Sequence, residues 1–288
     1  MSRPEKSSVA LRRSHRVAGV IAPTARPSSK ERPMTAQPHV HPKTHAHSEA
    51  PAPAALPEIV DRDTWLRARA ALLPREKAHT HEGDAIAAAR RRLPMVEVDA
   101  TVELVGADGP TRVLDMFDGR DQLLVCKHMW HPGQGFEGQC RGCTITLWNF
   151  QDPVYLEARG VTFAVWCEGP YDEFAPYREF MGYPTPWYSV HGVDSPGISD
   201  GWITTYLRVG DRVFQTYETD DRGCEVMMTA LQLLDVTVYG RQEEWEDSPA
   251  GWPQDPTQSW LRRDGRPIPQ WTRPGVTPVA APTEEGCC

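Results

Sequence analysis

Aromatic residues are missing from the opening of this chain: residues 1–57 contain no Phe, Trp or Tyr, and nine prolines instead. Such a stretch cannot bury enough apolar surface to offset its ordering entropy, so it is expected to be a disordered tail. Long apolar runs are also missing. None approaches the roughly 18 residues a membrane helix needs, so no membrane partner is expected. The apolar part of the N-terminus, Val17 to Ala22, is short and runs into Pro23, a poor secretory signal. Met34 is an alternative start, and the expected location is cytoplasmic. Positive charge is scarce beyond the tail. Residues 1–57 hold nine Lys/Arg against three Asp/Glu, whereas the remaining 231 hold 22 against 36, so the overall charge of −8 describes neither part. An acidic body without clustered Lys/Arg excludes nucleic acid as the main partner. No Gly-rich phosphate loop stands between a strand and a helix and no serine elbow is present, so neither a nucleotide nor a flavin cofactor is expected.

What is present is a body of roughly residues 58–247, followed by a Pro/Gly-rich stretch, 248–288, that reads as a second tail. Asp63 is placed to cap a helix carrying Leu66, Ala70 and Leu73, interrupted at Pro74, with a second helical stretch over about 83–92. Val96-Glu-Val98, Val102 to Val105 and Thr111 to Leu114 read as short strands with a hairpin turn at Gly106–Pro110. Leu123 to Met129 and Val161 to Trp166 are near-continuous apolar runs, as in strands buried on both faces. A helix from Thr144 to Phe150 between them makes a strand–helix–strand unit with a parallel pair. Tyr171 to Met181 predicts a helix with one aromatic face. Ile203 to Val209 and Val213 to Tyr217 pair across a two-residue Gly210-Asp211 turn, and a closing helix carries Met227, Met228, Leu231 and Leu234. The acidic cluster Glu243-Glu244-Trp-Glu246-Asp247 reads as a solvated segment.

The chemistry is expected at Cys140-Arg-Gly-Cys143. The pair follows a buried strand and opens a helix, where unpaired N–H groups and the positive end of the dipole favour a thiolate. By roles, Cys140 is an exposed nucleophile, Cys143 the resolving thiol, and Arg141 a positive neighbour. His128 and His131, at the end of the preceding strand, are candidates for a proton carrier; His128 with Met129 could also join the thiols as a soft-metal site for copper or zinc. The other cysteines of the body, Cys126, Cys167 and Cys224, stand singly in apolar surroundings. Outside the body, His39, His41, His45 and His47 form a tract able to bind a metal loosely, and Cys287-Cys288 a vicinal pair.

Several further motifs, taken in order, carry a resemblance. They are Asp63-Thr-Trp65 continuing to Leu73, Arg90-Arg-Arg-Leu-Pro-Met-Val96, Leu114-Asp-Met-Phe-Asp-Gly-Arg120, the dithiol, Pro186-Trp187, Phe214-Gln-Thr-Tyr217 and Leu234 to Arg241. Together, over about residues 58–247, the chain resembles the bacterial thioredoxin-like family known as domain of unknown function 899. The resemblance implies an α/β thioredoxin-like fold: a central mixed sheet flanked by helices, with an N-terminal helical segment and a β-hairpin extension. The resemblance does not hand over a substrate; the dithiol at a helix start leads to the expectation of a thiol–disulfide oxidoreductase or thiol-dependent peroxide reductase, served by a thiol reductant and acting on a disulfide or a peroxide. A soft-metal carrier using the same cysteines is the alternative. Two departures stand out. The dithiol interior is Arg141-Gly142 where the family usually has Pro-Gly, and the residues before the hairpin strand, Ser199-Asp-Gly-Trp202, lack the proline found opposite the dithiol in thioredoxins.

Overall fold

The computed structural model describes residues 55–279; the histidine tract, Met34 and the Cys287-Cys288 pair lie outside them. The first element is a single helix, α1 (Arg62–Arg90), and not two. Its N-cap is Asp61, whose carboxylate accepts the Thr64 N–H at 2.8 Å, while the expected cap Asp63 sits in the first turn. Pro74 lies inside this helix. A proline removes one donor and pushes on the carbonyl four residues back. None of the residues of α1 is buried, so water can meet the freed carbonyl and the helix continues. Leu66, Leu72 and Leu73 are exposed with it.

Eight strands form one mixed sheet in the order β1-β8-β7-β4-β5-β6-β2-β3. In chain order β1 is Val96–Val98, β2 Glu103–Gly106, β3 Gly109–Arg112, β4 Gln122–His128, β5 Val161–Cys167, β6 Trp187–Ser189, β7 Ile203–Val209 and β8 Arg212–Thr219. The helices after α1 are α2 (Arg141–Asn149), α3 (Val154–Glu157), α4 (Tyr171–Met181) and α5 (Thr229–Leu234). The centre is the expected unit. β4 and β5 are parallel in register from Gln122 opposite Val161 to His128 opposite Cys167, and α2 lies between them in sequence. β7 runs antiparallel to β4 and β8 antiparallel to β7, so the four strands stand in the order β8-β7-β4-β5. This strand–helix–strand–helix–hairpin–helix sequence with that order is the thioredoxin-like fold. The N-terminal strands do not stay together: β2 and β3 form the hairpin beside β6, whereas β1 crosses to pair with β8 at the opposite edge. Val113, expected in the second hairpin strand, starts a 3-10 turn instead, and its side chain is fully buried.

Strand alternation divides the core in two. Leu123 and Val125 of β4, with Ala164 and Trp166 of β5, point to one cluster that includes Leu104, Phe117 and Tyr206. Cys126, Phe163, Val165 and Cys167 point to the other, with Phe174, Tyr177, Met181 and Trp187. Both faces are therefore covered, as the apolar runs required. Gly182 ends α4 with φ of 69°, a left-handed backbone that a side chain would strain.

Two readings based on composition are corrected at the C-terminal end. The acidic cluster is not wholly solvated: Glu243 is buried and accepts hydrogen bonds from the Trp245 and Trp260 indole N–H groups and from the Gln258 amide. The stretch after residue 248 does not behave as a tail as far as residue 279. It forms a small two-stranded ladder of β9 (Arg262–Arg263) and β10 (Arg266–Pro267) and buries Leu261 and Gln270. Proline and glycine signalled irregular backbone, but the Trp, Arg and Gln between them bind back onto the domain.

Because α1 buries nothing, its stability is local. Replacing Pro74 with Ala, worth up to about 3 kcal/mol in an interior helical position, is expected to slow amide exchange through α1. The melting temperature of the domain should shift by no more than about 1–2 °C, since the core does not depend on α1. Hydrogen exchange and a thermal melt on the same variant check both halves.

Candidate active site

Cys140 is the N-cap of α2, and its Sγ accepts the Cys143 N–H at 3.3 Å. Cys143, one turn on, is half-buried, and its Sγ accepts the Met129 N–H at 3.4 Å from the end of β4. Each sulfur thus receives a backbone donor, an arrangement that favours negative charge on it. The structure differs from expectation in exposure: Cys140 is buried, with only 6% of its surface exposed. Arg141 is half-buried, and its Nε lacks a hydrogen-bond partner among the described residues.

The loop is organised by Gln139, a fully buried residue that sequence reasoning passed over. Its Oε1 accepts the His131 N–H at 3.1 Å, and its amide nitrogen donates to the carbonyls of His131 and Gln134, both at 3.2 Å. The only available signal was a glutamine directly before the dithiol in a Gly-rich loop. From the far end of the chain Arg262 donates to the Glu137 and Gln139 carbonyls, and Gln270 donates to the Phe136 carbonyl. Behind the pair, the Thr144 hydroxyl donates to the Cys140 carbonyl at 2.7 Å and lies 3.0 Å from the Tyr177 hydroxyl.

His128 is fully buried, its ring 5.6 Å from that of Tyr177 and 5.1 Å from that of Trp187. Neither ring nitrogen has a hydrogen-bond partner among the described residues, and burial pushes its pKa down to about 4. It is therefore a neutral ring in an aromatic cage, with no hydrogen bond to either thiol. Trp187, itself buried, is one wall of the cage. The other cysteines among the described residues act as apolar fillers: burial pushes Cys126 up strongly, Cys167 to about 12 and Cys224 to about 11, so all three stay thiols. Among the described residues no three His, Cys, Asp or Glu side chains gather closely enough to hold a metal ion, and no helix is long and apolar enough to cross a membrane.

A family model described as "Bacterial protein of unknown function (DUF899)" matches residues 54–196 and 193–266, most of the chain and all of this site except Gln270. The chain belongs to that family. The match reaches past residue 247 and takes in Arg262, which holds the dithiol loop. Comparison with curated proteins finds no match. Among solved structures the chain is similar to a putative thiol:disulfide interchange protein DsbE from Chlorobium tepidum, at 13% identity over 49% of this chain and 98% of that one, with a TM-score of 0.29. It is also similar to a secreted Mycobacterium tuberculosis disulfide oxidoreductase homologous to Escherichia coli DsbE, at 12% identity over 47% and 97%, with a TM-score of 0.26. At such scores the fold of this family member rests on its own strand order and register.

His128 makes the domain acid-sensitive. Its folded pKa lies below the unfolded value of 6.5, so the unfolded state binds the extra proton and stability falls as pH drops through the window from 6.5 toward 4. Going from pH 7 to pH 5 should cost about 2 kcal/mol from this residue alone. His128→Leu, which keeps the cage filled, should lose that much less over the same interval when urea unfolding is measured at both pH values.

Proposed function

We propose that this family member is a cytoplasmic thiol-dependent oxidoreductase in which Cys140 and Cys143 cycle between dithiol and disulfide. The observation that carries the reading is the pair's placement: Cys140 caps α2, and each sulfur accepts a backbone N–H. Such donors stabilise a thiolate, and the thiolate is the attacking form. Cys140 attacks one atom of the oxidant, a sulfur of a disulfide or an oxygen of a peroxide, and the other half leaves with a proton. Cys143 then attacks Cys140 Sγ, the second product leaves, and the protein is left as its internal disulfide. Two electrons have passed to the substrate, and an external thiol reductant returns them by disulfide exchange. Arg141 contributes positive charge at the helix start, where the attacking sulfur carries negative charge. His128 belongs to the supporting cage, since a ring held neutral and without hydrogen bonds is poorly placed to relay protons to Cys140.

A carrier in which His128 joins the two thiols on zinc is not favoured: no group of three His, Cys, Asp or Glu forms among the described residues, and the His128 ring packs against Tyr177 and Trp187.

Cys140→Ser is expected to reduce turnover of both hydrogen peroxide and a small disulfide by at least about a hundredfold with dithiothreitol as reductant. Cys143→Ser should still consume one equivalent of oxidant and then stall as an adduct on Cys140, visible by intact-protein mass spectrometry. If Cys140→Ser turns over both oxidants as fast as the unaltered protein, the reading is wrong.

A further inference from the structure

Beside the start of α2 lies a cavity of about 420 Å³, a size suited to a small molecule and far too small for a folded protein. One wall is Gly142 and Ile145 of α2; the others come from Met228, Leu231, Trp260 and Leu261. Gly142 joins the cavity to the chemistry, because a Cβ added there would stand 3.9 Å from Cys140 Sγ.

The cavity also contains charges, and most of them are engaged with one another or with the protein. Arg222 pairs with Glu225 at 2.9 Å and lies over the Trp245 ring. Arg241, itself buried, is forked between Glu225 and Asp235 at 2.9 and 2.8 Å. Glu243 is saturated by the Trp245 and Trp260 indoles and the Gln258 amide. Asp221 stands exposed at the rim. An anionic ligand would meet no uncommitted cation and one uncommitted carboxylate, whereas an uncharged apolar group would meet aliphatic side chains and an indole held in place by a buried carboxylate. The recessed thiol narrows the choice further. A disulfide must present a substituted sulfur in line with the attacking thiolate, but the terminal oxygen of a hydroperoxide carries only hydrogen and makes the smaller demand on a residue as buried as Cys140.

We propose, resting on the redox reading above, that this cavity binds the organic group of an uncharged alkyl or aryl hydroperoxide whose terminal oxygen is presented to Cys140. The Cys140 thiolate forms an S–O bond to that oxygen as the O–O bond breaks, and the alkoxide leaves as the alcohol after taking a proton from solvent. Cys143 then forms the S–S bond at Cys140 Sγ, the S–O bond breaks, and water leaves. A thiol reductant resets the disulfide. The alcohol product remains in the cavity until it diffuses out.

Cumene hydroperoxide and its alcohol, 2-phenyl-2-propanol, test this on the full chain. The unaltered protein is expected to show a kcat/KM for cumene hydroperoxide at least about tenfold above that for hydrogen peroxide, which has no organic group to bury. Trp260→Ala should lower the ratio of the two values at least about fivefold. Gly142→Ala, which helix propensity favours and which meets only an ordinary contact at 3.9 Å, should lower it as well and guards against misfolding of the tryptophan variant. In Cys140→Ser, which cannot turn over, 2-phenyl-2-propanol should still change tryptophan fluorescence saturably, and Trp260→Ala in that background should weaken the binding. Absence of that binding, or an unchanged ratio in both variants, overturns the cavity assignment and leaves the redox reading standing. A protein that reduces disulfides but neither peroxide also overturns only the assignment. A protein that turns over no oxidant overturns both.

Discussion

The geometry of the dithiol depends on a buried amide. Gln139 is fully enclosed, and a primary amide without partners is costly to bury, so its oxygen and nitrogen must be satisfied by the chain around it. The partners are the backbone of His131 and Gln134, which draws the β4–α2 loop into a closed ring ending at Cys140. That ring sets where α2 begins. It places the Cys140 sulfur on the Cys143 N–H and lets the end of β4 supply the second donor, from Met129, to Cys143. Arg262 and Gln270 hold the ring from outside by donating to three of its carbonyls. The loop is irregular, and its shape is held by these side-chain-to-backbone bonds, with Cys140 buried at its end.

Much of the fold was legible because it rests on periodicity. The apolar runs of β4 and β5, the Gly210-Asp211 turn and the aromatic face of α4 each have one physical interpretation, and together they fix the order β8-β7-β4-β5. The dithiol was legible for the same reason, since its meaning came from standing between a strand and a helix. What could not be read was anything resting on a single long-range polar contact. Glu243 looked like one acid in a solvated cluster, yet three donors hold it inside. Gln139 carries no periodic signal, and its carbonyl is held by Arg262, more than a hundred positions away. The segment after 248 has the composition of a tail, but Leu261 and Gln270 each find one buried place. In α1 the error ran the other way: proline predicted a break, and a helix that buries nothing had no packing to lose.

The two sides of α2 divide the work. One side packs on the buried aromatic group of His128, Tyr177 and Trp187, through the Thr144 hydroxyl beside that of Tyr177. The other lines a cavity whose charges are mostly paired with one another, with Glu243 held by the Trp245 and Trp260 indoles and the Gln258 amide.

The distance along the chain between the loop and its outer clamps has a consequence for biosynthesis. Arg262 lies 123 residues beyond Gln139, and Gln270 lies 134 beyond Phe136. At about 5–20 residues per second, a ribosome makes the dithiol roughly 6–25 seconds before the residues that clamp its loop. During that interval the nascent chain carries Cys140 on a loop without its outer hydrogen bonds, and the loop is completed only when the last part of the domain arrives.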